Sequence, residues 1–215
     1  ELTNPTEQTA EEAAKLVFGR NIFRSKNLTF APSQNLATPA NYKLGPGDEV
    51  IIDIWGANQN TIRQFISPDG NINIQDIGLI YLNGMSIDEA NKYLRKELNK
   101  IYSGINTENP QTEIKVTLGQ IRTIQVNVMG EVAMPGTYSL SSLSSIFHAL
   151  YRAGGVNNLG SLRNIRLVRN NREVGVLDIY DFILKGKTLA DNRLQEGDVI
   201  IVPPYEMLVN IQGNV

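Results

Sequence analysis

Between Glu49 and Trp55 the chain alternates, with Val50, Ile52 and Ile54 on one side and Ile51, Asp53 and Trp55 on the other. A period of two predicts a strand with one face turned inward. The same period sets Ile114, Val116 and Leu118 on one face of "TEIKVTLG", and Ile124, Val126 and Val128 on one face of "RTIQVNVMGEV". "FISPDGNINI" reads as a hairpin turned at Pro68-Asp69-Gly70, followed by a strand in "IGLIYLNG". "IRLVRNNREVGVLDI" reads as a second hairpin, turned at Asn170-Asn171, and "LQEGDVIIVPP" as a strand ended by proline. The period lengthens to that of a helix in "SIDEANKYLRKELNKIY", where Ile87, Ala90, Leu94, Leu98 and Ile101 hold one stripe. Ser86 and Glu89 there have capping-box spacing, as do Thr9 and Glu12 ahead of a short helix expected to reach about Val17.

Two more helices complete the pattern. "SSLSSIFHALYRAGG" predicts one that buries Leu143, Ile146, Phe147 and Leu150 and leaves through Gly154. "DIYDFILKG" predicts a short one, with Asp178 as cap and Gly186 as stop. From Phe18 to Tyr42 no period holds, yet Phe18, Ile22, Phe23, Leu28 and Phe30 are more apolar than a solvated linker requires. That segment reads as an extended arm that packs on folded structure.

The order of elements gives an α+β chain. A helix and arm occupy residues 1–41, and a small strand-helix domain occupies 42–119. Over residues 120–205, strands wrap one helix as in a β-grasp. "VNVMGEV" returns as "VNIQGNV" at the end of the sequence. Residues 206–215 are therefore expected to be the first strand of a second such repeat, with a turn and helix continuing in the parent protein. A second echo links "LGPGDEVII" to "LQEGDVIIV". In each, glycine frees a tight turn and Asp48 or Asp198 is expected to bond the turn amides before a strand enters the core.

Composition narrows the function. The 215 residues are 41% hydrophobic, which suffices for one large or two small cores. A net charge of −2 gives no electrostatic reason to bind nucleic acid. There is no cysteine, so disulfides and thiol chemistry are excluded. No stretch reaches the roughly 18–20 apolar residues of a membrane span. The opening residues are polar and lack a leader pattern, so any export signal is expected outside this sequence.

Candidate chemistry is sparse. His148 is the single histidine, on a helix with a core stripe, which favours a structural role and leaves no histidine pair for a metal. Neither a phosphate-cradling GxxxxGK[ST] nor a GxSxG is present. Asp69 and Asp76 flank "GNINIQ"; turn formation is the favoured role, against a pair of glycosidase acids. No cofactor is expected. Sugar contact would use polar side chains beside an aromatic face, which marks Asp69, Asn71 and Asn73 together with Trp55, the one tryptophan. Trp55 is more readily explained as packing against the arm or a neighbouring protomer. Arg163, Arg166, Arg169 and Arg172 recur at every third position, a step that splits them between the faces of a strand. A solvated hairpin is the plainer account; a site for an anionic polymer, with Arg163 and Arg166 foremost, is the alternative.

"YKLGPGDEVIIDIWG" and "ISPDGNINIQDIGLIYLNGMSIDEANKYL" resemble the polysaccharide export domain of outer-membrane polysaccharide export proteins. "IQVNVMGEVAMPGTYSL", "IFHALYRAGGV" and "LQEGDVIIVPP" resemble the SLBB domain, a soluble-ligand-binding β-grasp. The order of the two is the family's order. The proline that the export motif usually carries before "IG" is replaced here by Gln75-Asp76. The resemblance implies no catalysis. It implies a periplasmic protein, attached to the outer membrane through segments beyond this sequence, that self-associates into a ring around a channel for capsular or exopolysaccharide. An inner-membrane polysaccharide co-polymerase or tyrosine kinase is the implied partner, and the "SPDGNINIQD" segment a candidate rim. Two other classes compete: a monomeric carbohydrate- or small-ligand-binding module, and an enzyme acting on the polymer.

Overall fold

The computed structural model describes residues 17–23, 38–39, 42–57, 59–102, 112–186 and 193–207. The helix expected after Thr9 (up to residue 16), Leu28 and Phe30 of the arm, and residues 208–215 of the strand expected at 206–215 lie outside them. The chain divides into two compact units, Ser33–Thr123 and a second formed by Ile124–Val215 with Glu1–Pro32.

In the first unit, β1 (Glu49–Gly56) lies between β2 (Asn60–Phe65) and β5 (Thr112–Leu118), antiparallel to both. β3 (Asn71–Ile74) and β4 (Gly78–Tyr81) form a separate two-stranded sheet. The alternation expected of β1 and β5 is present: Val50, Ile52, Ile54, Ile114 and Val116 are all buried. The expected "FISPDGNINI" hairpin is not. Phe65 ends a strand paired with β1, and Asn71 begins one paired with β4. Pro68-Asp69-Gly70 is the tight turn between the two sheets, closed by Gly70 N donating to Ser67 O at 2.8 Å. The true hairpin reversal lies at residues 75–77, where Asp76 takes φ 67°. β2 hid in the sequence because Asn60, Thr61, Arg63 and Gln64 leave no apolar period to read.

Helix α1 (Ile87–Leu98) carries the expected capping box: Ser86 Oγ accepts from Glu89 N, and Glu89 accepts from Ser86 N at 2.7 Å. That backbone amide, followed by Lys43, holds the Glu89 carboxyl down at about 2. Ala90, Leu94 and Leu98 are fully buried, and each leucine contributes about 1.5–3 kcal/mol of transfer free energy. Ile101 does not extend the stripe, because the helix stops at the Asn99 cap and Ile101 is 41% exposed. The polar flank of α1 closes the sheet edge. Asn91 accepts from Val116 N at 2.7 Å and donates to Val116 O at 3.1 Å, while Arg95 donates to Ile114 O. Edge groups that a neighbouring strand would otherwise pair are satisfied by side chains.

The second unit is a five-stranded sheet in the order β7-β6-β10-β8-β9: β6 (Thr123–Gly130), β7 (Gly136–Ser141), β8 (Ile165–Arg169), β9 (Arg172–Leu177) and β10 (Val199–Val202). The central pair, β6 and β10, is parallel, and β8 runs antiparallel to its neighbours β10 and β9. With α2 (Ile146–Arg152) contributing to the core, this is the expected β-grasp. Asn170 and Asn171 both take positive φ at the β8–β9 reversal, and Asp178 and Gly186 cap α3 (Ile179–Lys185) at its two ends. Leu143 departs from expectation: α2 begins only at Ile146, so Leu143 sits half-buried in the preceding turn.

Gly130 explains the glycine of the recurring "VNVMGEV". Its φ is +84°, and a Cβ there would lie 2.1 Å from the Val202 carbonyl oxygen of the paired strand. Within the leading segment expected to be extended, Arg20–Phe23 form a short 3-10 turn. Phe23 is 4% exposed within the β-grasp core, its ring 6.3 Å from that of Phe147.

Candidate functional site

The two glycine-aspartate corners hold the most buried charges among the described residues. Asp48 is fully buried. One carboxylate oxygen accepts from Tyr42 Oη at 2.7 Å and Arg122 N at 2.9 Å; the other accepts from Gly45 N and the Arg122 guanidinium. Asp198 is equally buried, accepting from Gln195 N at 2.8 Å and from Arg169 through both oxygens. The turn amides were expected partners; the arginines were not. Arg122 and Arg169 are remote in sequence from the aspartates they bind, so no local spacing announces them. Hydrogen bonding to Asp198 pushes the Arg169 guanidinium pKa up. Asp48 accepts four hydrogen bonds and Asp198 three, all from within the fold, and both are fully buried, which fits a role in fixing strand entry rather than contact with a substrate.

His148 is likewise structural in its contacts. It is the third residue of α2, and its Nδ1 accepts from the backbone amide of Ser145, the helix cap, at 3.0 Å. It therefore fills the place that glutamate takes at α1. Burial holds its pKa below 6.5. Among the described residues, no group of three or more His, Cys, Asp or Glu side chains could hold a metal ion.

Three surface depressions among the described residues bear on ligand contact. Trp55, 39% exposed, borders a shallow cleft of about 540 Å³ with Asp88, Lys92 and Arg95 of α1 and Glu113 and Lys115 of β5. A second, of about 430 Å³, brings Arg163 and Asn164 beside Tyr180, Pro203 and Tyr205, with the Arg163 guanidinium 4.8 Å above the Tyr180 ring. The third, of about 420 Å³, lies among Asn60, Arg63, Gln64, Asn73, Gln75 and Tyr102.

The sequence-marked residues do not converge. Asp69 is exposed at the turn between the sheets, and Asn71 pairs with Tyr81 in the β3–β4 hairpin. Only Asn73 enters the third depression, together with Asp76. Arg163 and Arg166 are separated: Arg166 stands in a cross-strand row with Ile201 and Val176, on the other face of β8 from buried Ile165 and Leu167. The solvated-hairpin account fails for Arg169, which the buried Asp198 draws into an ion pair. Gln64, Tyr102, Tyr180 and Tyr205 carry no sequence signal, and Gln75 stands out only as a departure from the export motif, since each joins its depression through the fold.

Comparison with known proteins agrees with this architecture. Residues 36–117 match the polysaccharide biosynthesis/export protein family, and residues 124–202 match the SLBB domain. Two curated Escherichia coli relatives, both named polysialic acid transport protein KpsD, are 31% identical over 202 residues. That alignment takes in 93% of this chain and 34% of each relative, so the chain spans about a third of their length. This chain is homologous to those proteins over 202 residues and carries a polysaccharide biosynthesis/export domain at residues 36–117 followed by an SLBB domain at residues 124–202.

Proposed function

We propose that this chain is the periplasmic portion of an outer-membrane polysaccharide export channel, whose protomers assemble into a ring that conducts capsular or exopolysaccharide. The observation that carries this reading is the succession of an export domain and an SLBB domain along one chain. The chemistry on the surface supports it. The most buried carboxylates are tied into strand corners, and the depressions are open to solvent, which suits passage more than tight capture. Among the described residues no helix is long and apolar enough to cross a membrane. The chain spans about a third of its relatives' length, and in this reading membrane attachment belongs to the rest of the full-length protein. An inner-membrane co-polymerase or tyrosine kinase would hand over the polymer. The half-exposed ring of Trp55 is assigned to packing, against the arm or a neighbouring protomer.

Deletion of the gene in its native host tests this. Polymer of ordinary length should accumulate inside the cell while the surface loses it. Undiminished surface polymer in the deletion strain would overturn the reading, as would shortening of the polymer by the purified protein.

A further inference from the structure

The third depression differs from the others in its chemistry. Four carboxamides line it: Asn60 and Gln64 from β2, Asn73 from β3 and Gln75 from the β3–β4 turn. Tyr102, just beyond α1, adds a half-buried phenol that accepts from Asn60 Nδ2 at 3.4 Å. Arg63, 64% exposed and 3.9 Å from Glu49, and the exposed carboxylate of Asp76 stand at the rim, one charge of each sign. The side-chain carboxamides of Gln64, Asn73 and Gln75 have no hydrogen-bond partner among the described residues of the protein.

A carboxamide presents an acceptor oxygen and two donor hydrogens within one small group. A sugar hydroxyl likewise donates and accepts at once. Several unpaired carboxamides around one concavity therefore match a hydroxyl-rich ligand better than an anion, which calls for converging cations, or an apolar one, which calls for greasy walls. We propose that this cleft holds successive sugar units of a glycan chain through their hydroxyls. The inference rests on the reading of the protein as a polysaccharide conduit, and it gives that reading a contact point in the export unit. Both Asn73 and Gln75 are exposed, and the bound hydroxyls would exchange with water at little net gain. Binding is then millimolar and quickly reversed, as transit requires.

The test is nuclear magnetic resonance of the side-chain NH₂ groups in the 215-residue chain. Two probes are titrated separately, a neutral isomaltohexaose and a carboxylated hexamer of sialic acid. Both should move the Gln64, Asn73 and Gln75 signals. The Asn73→Ala/Gln75→Ala double variant should weaken both probes at least about ten-fold while keeping the parent unfolding midpoint. Cleft signals that stay still with both probes, shifts confined to the Tyr180–Tyr205 groove, or a double variant that binds as well as the parent would each overturn the inference. The gene deletion separates the two proposals. If deletion blocks export while the cleft is silent, only the sugar site falls; if export persists, the conduit reading itself falls.

Discussion

Arg169 grips Asp198 through two parallel hydrogen bonds, Nε to Oδ1 at 2.7 Å and Nη2 to Oδ2 at 2.8 Å. Asp198 is fully buried, whereas the arginine side chain keeps 22% of its surface in water. In the other unit Arg122 and Asp48 make the corresponding pair, again with the aspartate fully buried.

Removing one partner of such a pair strands a charge. Asp198→Ala should destabilise the β-grasp unit by about 3–5 kcal/mol, because Arg169 loses its carboxylate and Gln195 N loses its acceptor. Asp198→Asn keeps an acceptor for the turn and should cost less. Urea unfolding of the two variants checks this; a loss below about 1 kcal/mol for Asp198→Ala would show that the corner is not a stabilising device.

His148 makes the same unit sensitive to acid. Its folded pKa is depressed by burial, so as pH falls below 6.5 the unfolded chain takes up the proton first. The stabilisation is present above 6.5 and is lost as pH drops through the window between that value and the lower folded pKa. Protonation also removes the Nδ1 acceptor that serves Ser145 N. His148→Gln keeps an acceptor and cannot titrate. Thermal midpoints at pH 7.5 and 5.5 should therefore fall further for the parent than for the variant, and parallel falls would contradict the assignment.

At Val116 the edge of β5 depends on one side chain. Asn91→Leu strips partners from both backbone groups of Val116 and should cost about 2 kcal/mol or more. Asn91→Asp keeps the acceptor for Val116 N and loses only the donor. Hydrogen exchange at the Val116 amide should accelerate strongly in the first variant and weakly in the second.

Gly130→Ala combines a left-handed backbone with a side chain directed into the Val202 carbonyl. The backbone term alone is about 1–2 kcal/mol, and displacement of the central parallel pair adds to it. A measured loss of at least about 2 kcal/mol in the β-grasp unit is expected, and tolerance of alanine would contradict the strand packing described here.

What could be read in the sequence was what repeats at short range. The strand alternation at Val50–Ile54 and Ile124–Val128, the Ser86–Glu89 cap and the Asn170-Asn171 turn depend on neighbours a few residues apart, and the structure contains each of them. β2 was missed because its polar residues carry no period, and its absence made Pro68-Asp69-Gly70 look like the tip of a hairpin. The ion pairs and the amide cleft join residues distant along the chain. Arg169 looked like one member of a basic series until the fold set Asp198 beside it. Gln64 is an ordinary polar position in the sequence, and Gln75 only a departure from the export motif, until the fold places them around one hollow.

The central claim is that the protein works as an assembled passage. The mass of the full-length protein in detergent, measured by light scattering after size-exclusion chromatography, tests it most directly. A ring subunit gives a fixed, closed multiple of the protomer mass. A species of single-protomer mass at every concentration would contradict the account and favour a solitary ligand-binding module instead.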